Sequence, residues 1–136
     1  MVGPRRAKAL KAIPLFARCS RRQLADIAAI AYEKEFPAGS ELIREGGAGD
    51  SFFVLLEGTA DVSAEGEKLR DLAAGDFFGE IALLAHSART ASVVTTSPAR
   101  AIVVPGRRFR SLLGRQPEVQ LVVLEALVKR ARTAAV

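Results

Sequence analysis

The residues Gly75-Asp76-Phe77-Phe78-Gly79-Glu80-Ile81-Ala82-Leu83-Leu84-Ala85-His86-Ser87-Ala88-Arg89-Thr90-Ala91-Ser92-Val93-Val94-Thr95 carry the strongest structural signal in this chain of 136 residues. The stretch opens on a Gly-Asp turn and closes on Thr90 to Thr95, a run that suits a strand. Between them, Gly79 to Leu84 lacks strict alternation and holds good helix formers. That composition predicts a single helical turn inserted between strands.

Around this stretch, short apolar or alternating runs are separated by turn residues. The runs are Glu41 to Arg44, Phe52 to Leu56, Thr59 to Ser63, Lys68 to Leu72 and Arg100 to Val104. The breaks are Pro37-Ala38-Gly39, Gly46-Gly47, Glu57-Gly58 and Glu65-Gly66. Parallel pairing needs helical crossovers of roughly a dozen residues, and none fits between these runs. The chain is therefore expected to be mainly β with flanking helices, its strands forming an antiparallel β jelly-roll barrel.

Both ends read as helical. Arg5 to Ala12 suits a short helix that Pro14 must end, with Leu10, Ile13 and Phe16 as buried contacts. Ser20 and Gln23 have the spacing of a capping box, and Leu24, Ile27, Ala28 and Ala31 repeat at helical spacing, so a second helix should run from Arg21 to about Ala31. Toward the C-terminus, Phe109, Leu112 and Leu113 share one face of a short helix ending near Gly114, and Pro117 opens a last helix to about Arg132. Its apolar stripe of Leu121, Leu124, Leu127, Val128 and Ala131 should pack against the barrel, or serve as a lid or dimer seam.

Bulk properties narrow the function classes. The length suits a single domain, with a helical part at 1–31, a barrel at 32–104 and C-terminal helices at 105–133. No apolar run reaches the roughly 20 residues of a membrane helix, and no signal-peptide core follows the basic start, so a cytoplasmic protein is expected. Cys19, the only cysteine, permits no internal disulfide and should sit half-buried at a helix end. The net charge of +5 gathers at the chain ends and favours an anionic partner, without pointing to direct nucleic-acid binding. No nucleophile elbow, Gly-Lys-Ser phosphate loop or catalytic carboxylate pair is present, so no enzyme activity and no cofactor or metal is expected.

Phe77 to Leu84, four further residues, and then Arg89-Thr90-Ala91-Ser92-Val93 resemble the phosphate-binding cassette of cyclic nucleotide-binding domains. That family occurs in catabolite activator proteins, protein kinase regulatory subunits and cyclic nucleotide-gated channels. Ile13-Pro14-Leu15-Phe16, Gly49-Asp50, Phe52-Phe53-Val54, and Gly58 with Val62 extend the resemblance over nearly the whole chain.

The resemblance implies a regulatory module for cAMP first and cGMP second, with a cassette at 78–91. A cyclic nucleotide offers a singly charged phosphate, a ribose 2′-hydroxyl and a flat base. The amides at the start of a one-turn helix, around Ile81 and Ala82, form an anion site, and Gly79 lets the backbone approach closely. Arg89 matches the family's phosphate-binding arginine, whose planar fork suits two hydrogen bonds to the anion. Glu80 matches the glutamate that accepts from the ribose hydroxyl. Thr90 lies where a hydroxyl can reach phosphate or a guanine base.

Arg130 or Leu127 would cap the base from the last helix, which moves as a lid. His86 falls in the loop between helical turn and arginine, where the family tolerates varied residues. An effector domain or protein is implied, with the chain monomeric or weakly dimeric. Two rivals stand beside this reading: the ligand-binding part of a catabolite-activator-type transcription regulator without its DNA-binding domain, and an interaction module whose pocket is empty or takes another anion.

Overall fold

A computed structural model describes residues 4–79 and 88–134, with side chains described for 6–79, Leu15 excepted, and for 88–125. Helix α1 covers Pro4–Lys11, followed by a 3₁₀ turn at Pro14–Phe16 and α2 at Arg21–Ile30. Among the described residues, eight strands come next: β1 (Tyr32–Phe36), β2 (Glu41–Ile43), β3 (Phe52–Glu57), β4 (Ala60–Ala64), β5 (Glu67–Leu72), β6 (Phe77–Phe78), β7 (Ser92–Thr95) and β8 (Ala99–Val104). Helices α3 (Gly106–Arg115) and α4 (Pro117–Ala134) end the chain.

Local chemistry sets the helix boundaries. The Gln23 amide donates to Ser20 Oγ at 3.1 Å and the Ser20 amide donates to Gln23 Oε1 at 2.8 Å, which completes the capping box. At the other end of α2, Arg6 Nη1 donates to the carbonyls of Ala28 at 3.2 Å and Ala31 at 3.0 Å. Ala28 lies in the last turn and Ala31 is the C-cap, where helical partners run out.

The strands form two four-stranded sheets, ordered β1-β8-β3-β6 and β2-β7-β4-β5, with every pairing antiparallel. This is the strand order of a jelly roll, in which the chain crosses repeatedly between the sheets. Strand alternation then builds two cores. Phe52 and Val54 of β3, with Ile102 and Val104 of β8, face the helices, where they join Leu10, Phe16, Ile27, Phe109 and Val119. Phe53, Leu55, Ala101 and Val103 point the other way and meet Ile43, Val62, Leu72 and Val93 of the second sheet. Sheet β1-β8-β3-β6 is therefore the middle layer. The Phe16 ring meets Phe52 edge-on, centroids 5.7 Å apart, and tilts against Phe109 at 5.8 Å.

Several expectations need correction. Tyr32–Phe36 is a strand that the sequence did not signal, because its residues are mostly exposed. It exists through its register with β8, from Tyr32 opposite Val103 to Phe36 opposite Ala99, and through the Arg100–Glu35 ion pair. The two-residue β6 was likewise unforeseen, and β7 begins at Ser92 instead of Thr90.

Among the described side chains of α4, Val119 and Val123 are buried, whereas Leu121 and Leu124 of the expected stripe are exposed at 62% and 55%; Leu127, Val128 and Ala131 lie outside the described side chains. Over its first two turns the helix docks through Val119 and Val123, not through Leu121 and Leu124, against the 3₁₀ turn and α3. Cys19 is buried, not half-buried, and burial pushes its thiol pKa up. The helical turn expected from Gly79 to Leu84 lies, beyond Gly79 itself, outside the described residues.

Candidate functional site

Gly79 follows β6, which pairs with β3 through Phe78 opposite Phe53. This pairing brings Gly79 beside Ser51, just ahead of β3. The glycine has φ +84, and a Cβ there would stand 2.9 Å from the Ser51 carbonyl oxygen, 3.1 Å from Arg89 Nη1 and 3.2 Å from Ile43 Cδ1. Both the backbone conformation and the space therefore demand glycine.

Arg89 reaches the same point from the other sheet. It precedes β7, whose Val93 pairs with Ile43 of β2. Its Nη2 donates to the Ser51 carbonyl at 2.7 Å and its Nη1 to the Gly79 carbonyl at 3.4 Å. The main chain is held too: the Gly46 amide donates to the Arg89 carbonyl at 2.7 Å, and the Arg89 amide to the Gly47 carbonyl at 3.2 Å.

The half-buried guanidinium has its pKa lowered by burial, which the field of the Asp50 carboxylate partly opposes. Asp50 is engaged elsewhere as well. Its Oδ2 accepts from Arg110 Nη2 of α3 at 2.6 Å, and Gly106, which opens α3, sits so close to Asp50 that a Cβ would overlap it.

The arrangement suits anion binding. A guanidinium has five N–H donors in one plane, and two carbonyls do not exhaust it. Partial burial strengthens its attraction for an anion by lowering the local dielectric. Its anchoring carbonyls come from the two segments, 51 and 79, that flank the start of the cassette.

Of the residues named from the sequence, the structure brings Gly79 and Arg89 together and leaves Thr90 exposed beside them. Glu80, Ile81, Ala82 and His86 lie outside the described residues. Leu127 and Arg130 belong to α4, but their side chains lie outside the described set. The Ser51 carbonyl, Asp50 and the Gly46-Gly47 turn carry no site role in the sequence reading. A main-chain acceptor leaves no mark in the sequence, although Gly49-Asp50 and Gly46-Gly47 are both visible there as a motif and a turn. Among the described residues, no group of three or more His, Cys, Asp or Glu side chains could hold a metal ion, and no helix is long and apolar enough to cross a membrane.

Residues 33–116 match the model of the cyclic nucleotide-binding domain. The chain belongs to the cyclic nucleotide-binding domain family. Among relatives of this domain, a Drosophila melanogaster cGMP-dependent protein kinase, isozyme 1, is 36% identical over 113 residues, covering 77% of this chain and 15% of the kinase. A cAMP-dependent protein kinase regulatory subunit of Emericella nidulans is 36% identical over 107 residues, covering 77% of this chain and 26% of the subunit. The match thus spans only 15% and 26% of the lengths of these relatives.

A solved structure of the N-terminal domain of a transcriptional regulator from Streptomyces coelicolor A3(2) superposes with a TM-score of 0.84 at 25% identity, covering 93% of this chain and 94% of that domain. Domains similar to this one thus occur in a protein kinase, in a kinase regulatory subunit and in a transcriptional regulator.

Proposed function

We propose that this domain is a sensor for cAMP, and secondarily for cGMP, whose phosphate is held by Arg89 together with the amides of Ile81 and Ala82. The observation that carries this reading is the Arg89 guanidinium held against the Ser51 and Gly79 carbonyls at the mouth of the cassette. Glu80 accepts from the ribose 2′-hydroxyl, Gly79 gives the sugar and phosphate close access to the main chain, and Thr90 lies within reach of the base. Arg130 or Leu127 covers the base from α4.

Binding favours the state in which the C-terminal helices close, and a coupling of about 1–3 kcal/mol is typical for such a shift. The output is a signal to an effector domain or protein, with no chemical step. A second reading, the ligand-binding part of a transcription regulator, draws support from the 0.84 TM-score to the Streptomyces regulator domain. The downstream sequence of the gene product decides between the two outputs.

Calorimetric titration with cAMP, cGMP and 5′-AMP tests the ligand assignment. Arg89→Ala should weaken cAMP binding by at least about 2 kcal/mol, roughly thirtyfold, and Glu80→Ala should also weaken it. Parent-like binding by both variants would refute the site.

A further inference from the structure

The segment Glu45-Gly46-Gly47, between β2 and β3, is hydrogen-bonded to the residues from Arg89 to Ser92 that lead into β7. The Glu45 amide donates to Ser92 Oγ at 2.9 Å, the Gly46 amide to the Arg89 carbonyl at 2.7 Å, and the Arg89 amide to the Gly47 carbonyl at 3.2 Å. The turn is specified by glycine: Gly46 has φ +75, and a Cβ on Gly47 would stand 2.9 Å from the Arg44 carbonyl oxygen.

The Glu45 carboxylate reaches away from this turn, to the tip of the β4–β5 hairpin. Its two oxygens accept from the Glu65 amide at 3.0 and 3.3 Å. Glu65 has φ 54 and is the one non-glycine residue with positive φ among the described residues. That conformation is unfavourable for a glutamate and persists where its surroundings enforce it. Glu45 therefore has fixed anchors on two sides: a strained hairpin tip through its side chain, and Ser92 through its main chain.

We infer that Glu45 and Ser92 are positioning residues for the anion site: they fix the main chain that carries Arg89, and so the reach of its guanidinium. The inference rests on the cyclic nucleotide reading of Arg89. Neither side chain touches that guanidinium in the structure, so their influence passes through the backbone of residues 45–47 and 89–92. Loops that merely pack together would lose stability on substitution, with no link to Arg89.

The test is a double-mutant cycle read by cAMP titration on the full chain. Glu45→Ala and Ser92→Ala should each weaken cAMP binding about two- to tenfold in the parent, the effect of one lost hydrogen bond. In the Arg89→Ala background the same substitutions should change affinity by less than about twofold, because the group they position is gone. Glu45→Gln keeps an acceptor oxygen and should bind like the parent. If Glu45→Ala fails to fold, Ser92→Ala carries the cycle alone. Equal losses in both backgrounds, or no loss in the parent, would overturn the inference while the cyclic nucleotide reading stands. A parent that does not bind cAMP, or an Arg89→Ala variant that binds equally well, would overturn both.

Discussion

Gly79 and Gly39 have almost the same φ, +84 and +83, but not the same surroundings. A Cβ on Gly39 meets nothing within 4 Å, whereas one on Gly79 meets the Ser51 carbonyl oxygen at 2.9 Å and Arg89 Nη1 at 3.1 Å. Alanine in the left-handed region costs about 1–2 kcal/mol, partly offset by about 0.4–1 kcal/mol from a stiffer unfolded chain. Gly39→Ala should therefore cost about 1 kcal/mol. Gly79→Ala adds an overpacking cost of about 1–3 kcal/mol, since the nearest atom is main chain leading into the central strand β3 and cannot yield cheaply. Its total should be about 2–4 kcal/mol.

In a chain of this size each kcal/mol lowers Tm by about 3–4 °C. Thermal unfolding should then show a fall of about 3–4 °C for Gly39→Ala and at least about 6 °C for Gly79→Ala. Titration with cAMP supplies the second readout. The Gly79 variant should bind at least about tenfold more weakly, because its new methyl displaces the guanidinium, while the Gly39 variant binds like the parent. Equal melting shifts and equal affinities for the two alanine variants would refute the placement of Arg89 against Gly79.

Three further outcomes follow from the fold. Ser20→Ala removes the side-chain half of the α2 capping box and should cost about 1 kcal/mol in urea unfolding. Val123→Ala, at a residue 1% exposed, should cost about 2 kcal/mol, whereas Leu124→Ala, at 55% exposure, should stay within about 0.5 kcal/mol; the reverse order would show that α4 docks through its other face. Burial raises the Cys19 thiol pKa in the folded state, so its contribution is fully present below the ordinary thiol value and is lost as pH rises through the folded one. Unfolding free energy should therefore fall more steeply above about pH 8.5 in the parent than in Cys19→Ala, as urea titrations at pH 7, 8.5 and 10 would show.

What the sequence revealed depended on how local the cause was. The α2 capping box needs only Ser20 and Gln23, three residues apart, and both of its bonds form. The turn at Glu65-Gly66 was equally legible, since two adjacent residues with positive φ suffice for a tight hairpin. Strand β1 was not legible. Tyr32-Glu33-Lys34-Glu35-Phe36 buries almost nothing and is a strand because β8, buried between two layers, offers it an edge. Leu121 and Leu124 were misplaced on the packing face of α4 for a different reason. Val119, Leu121, Val122, Val123 and Leu124 surround the helix, so several stripes have helical spacing, and the position of the 3₁₀ turn and α3 selects one.

The site itself was half legible, and the missing half is main chain. Arg89 and Gly79 stand out through their motif, yet what fixes Arg89 is the Ser51 carbonyl, which any residue at position 51 would supply. Its position follows from topology: β3 and β6 pair in one sheet, β7 lies in the other, and the guanidinium spans the seam between them. The same seam reaches the helices, because Asp50, next to Ser51, meets Arg110 and abuts Gly106 at the start of α3. Helix α3 then buries Phe109, Leu112 and Leu113 in the core that also receives Val119 and Val123 of α4. An anion drawn to Arg89 would enter the field of the Asp50 carboxylate, which already acts on that guanidinium and also pairs with Arg110 of α3. Contact alone makes no allosteric device, but under the proposed function it defines where coupling has to be measured: at Asp50, between the Arg89 guanidinium and helix α3.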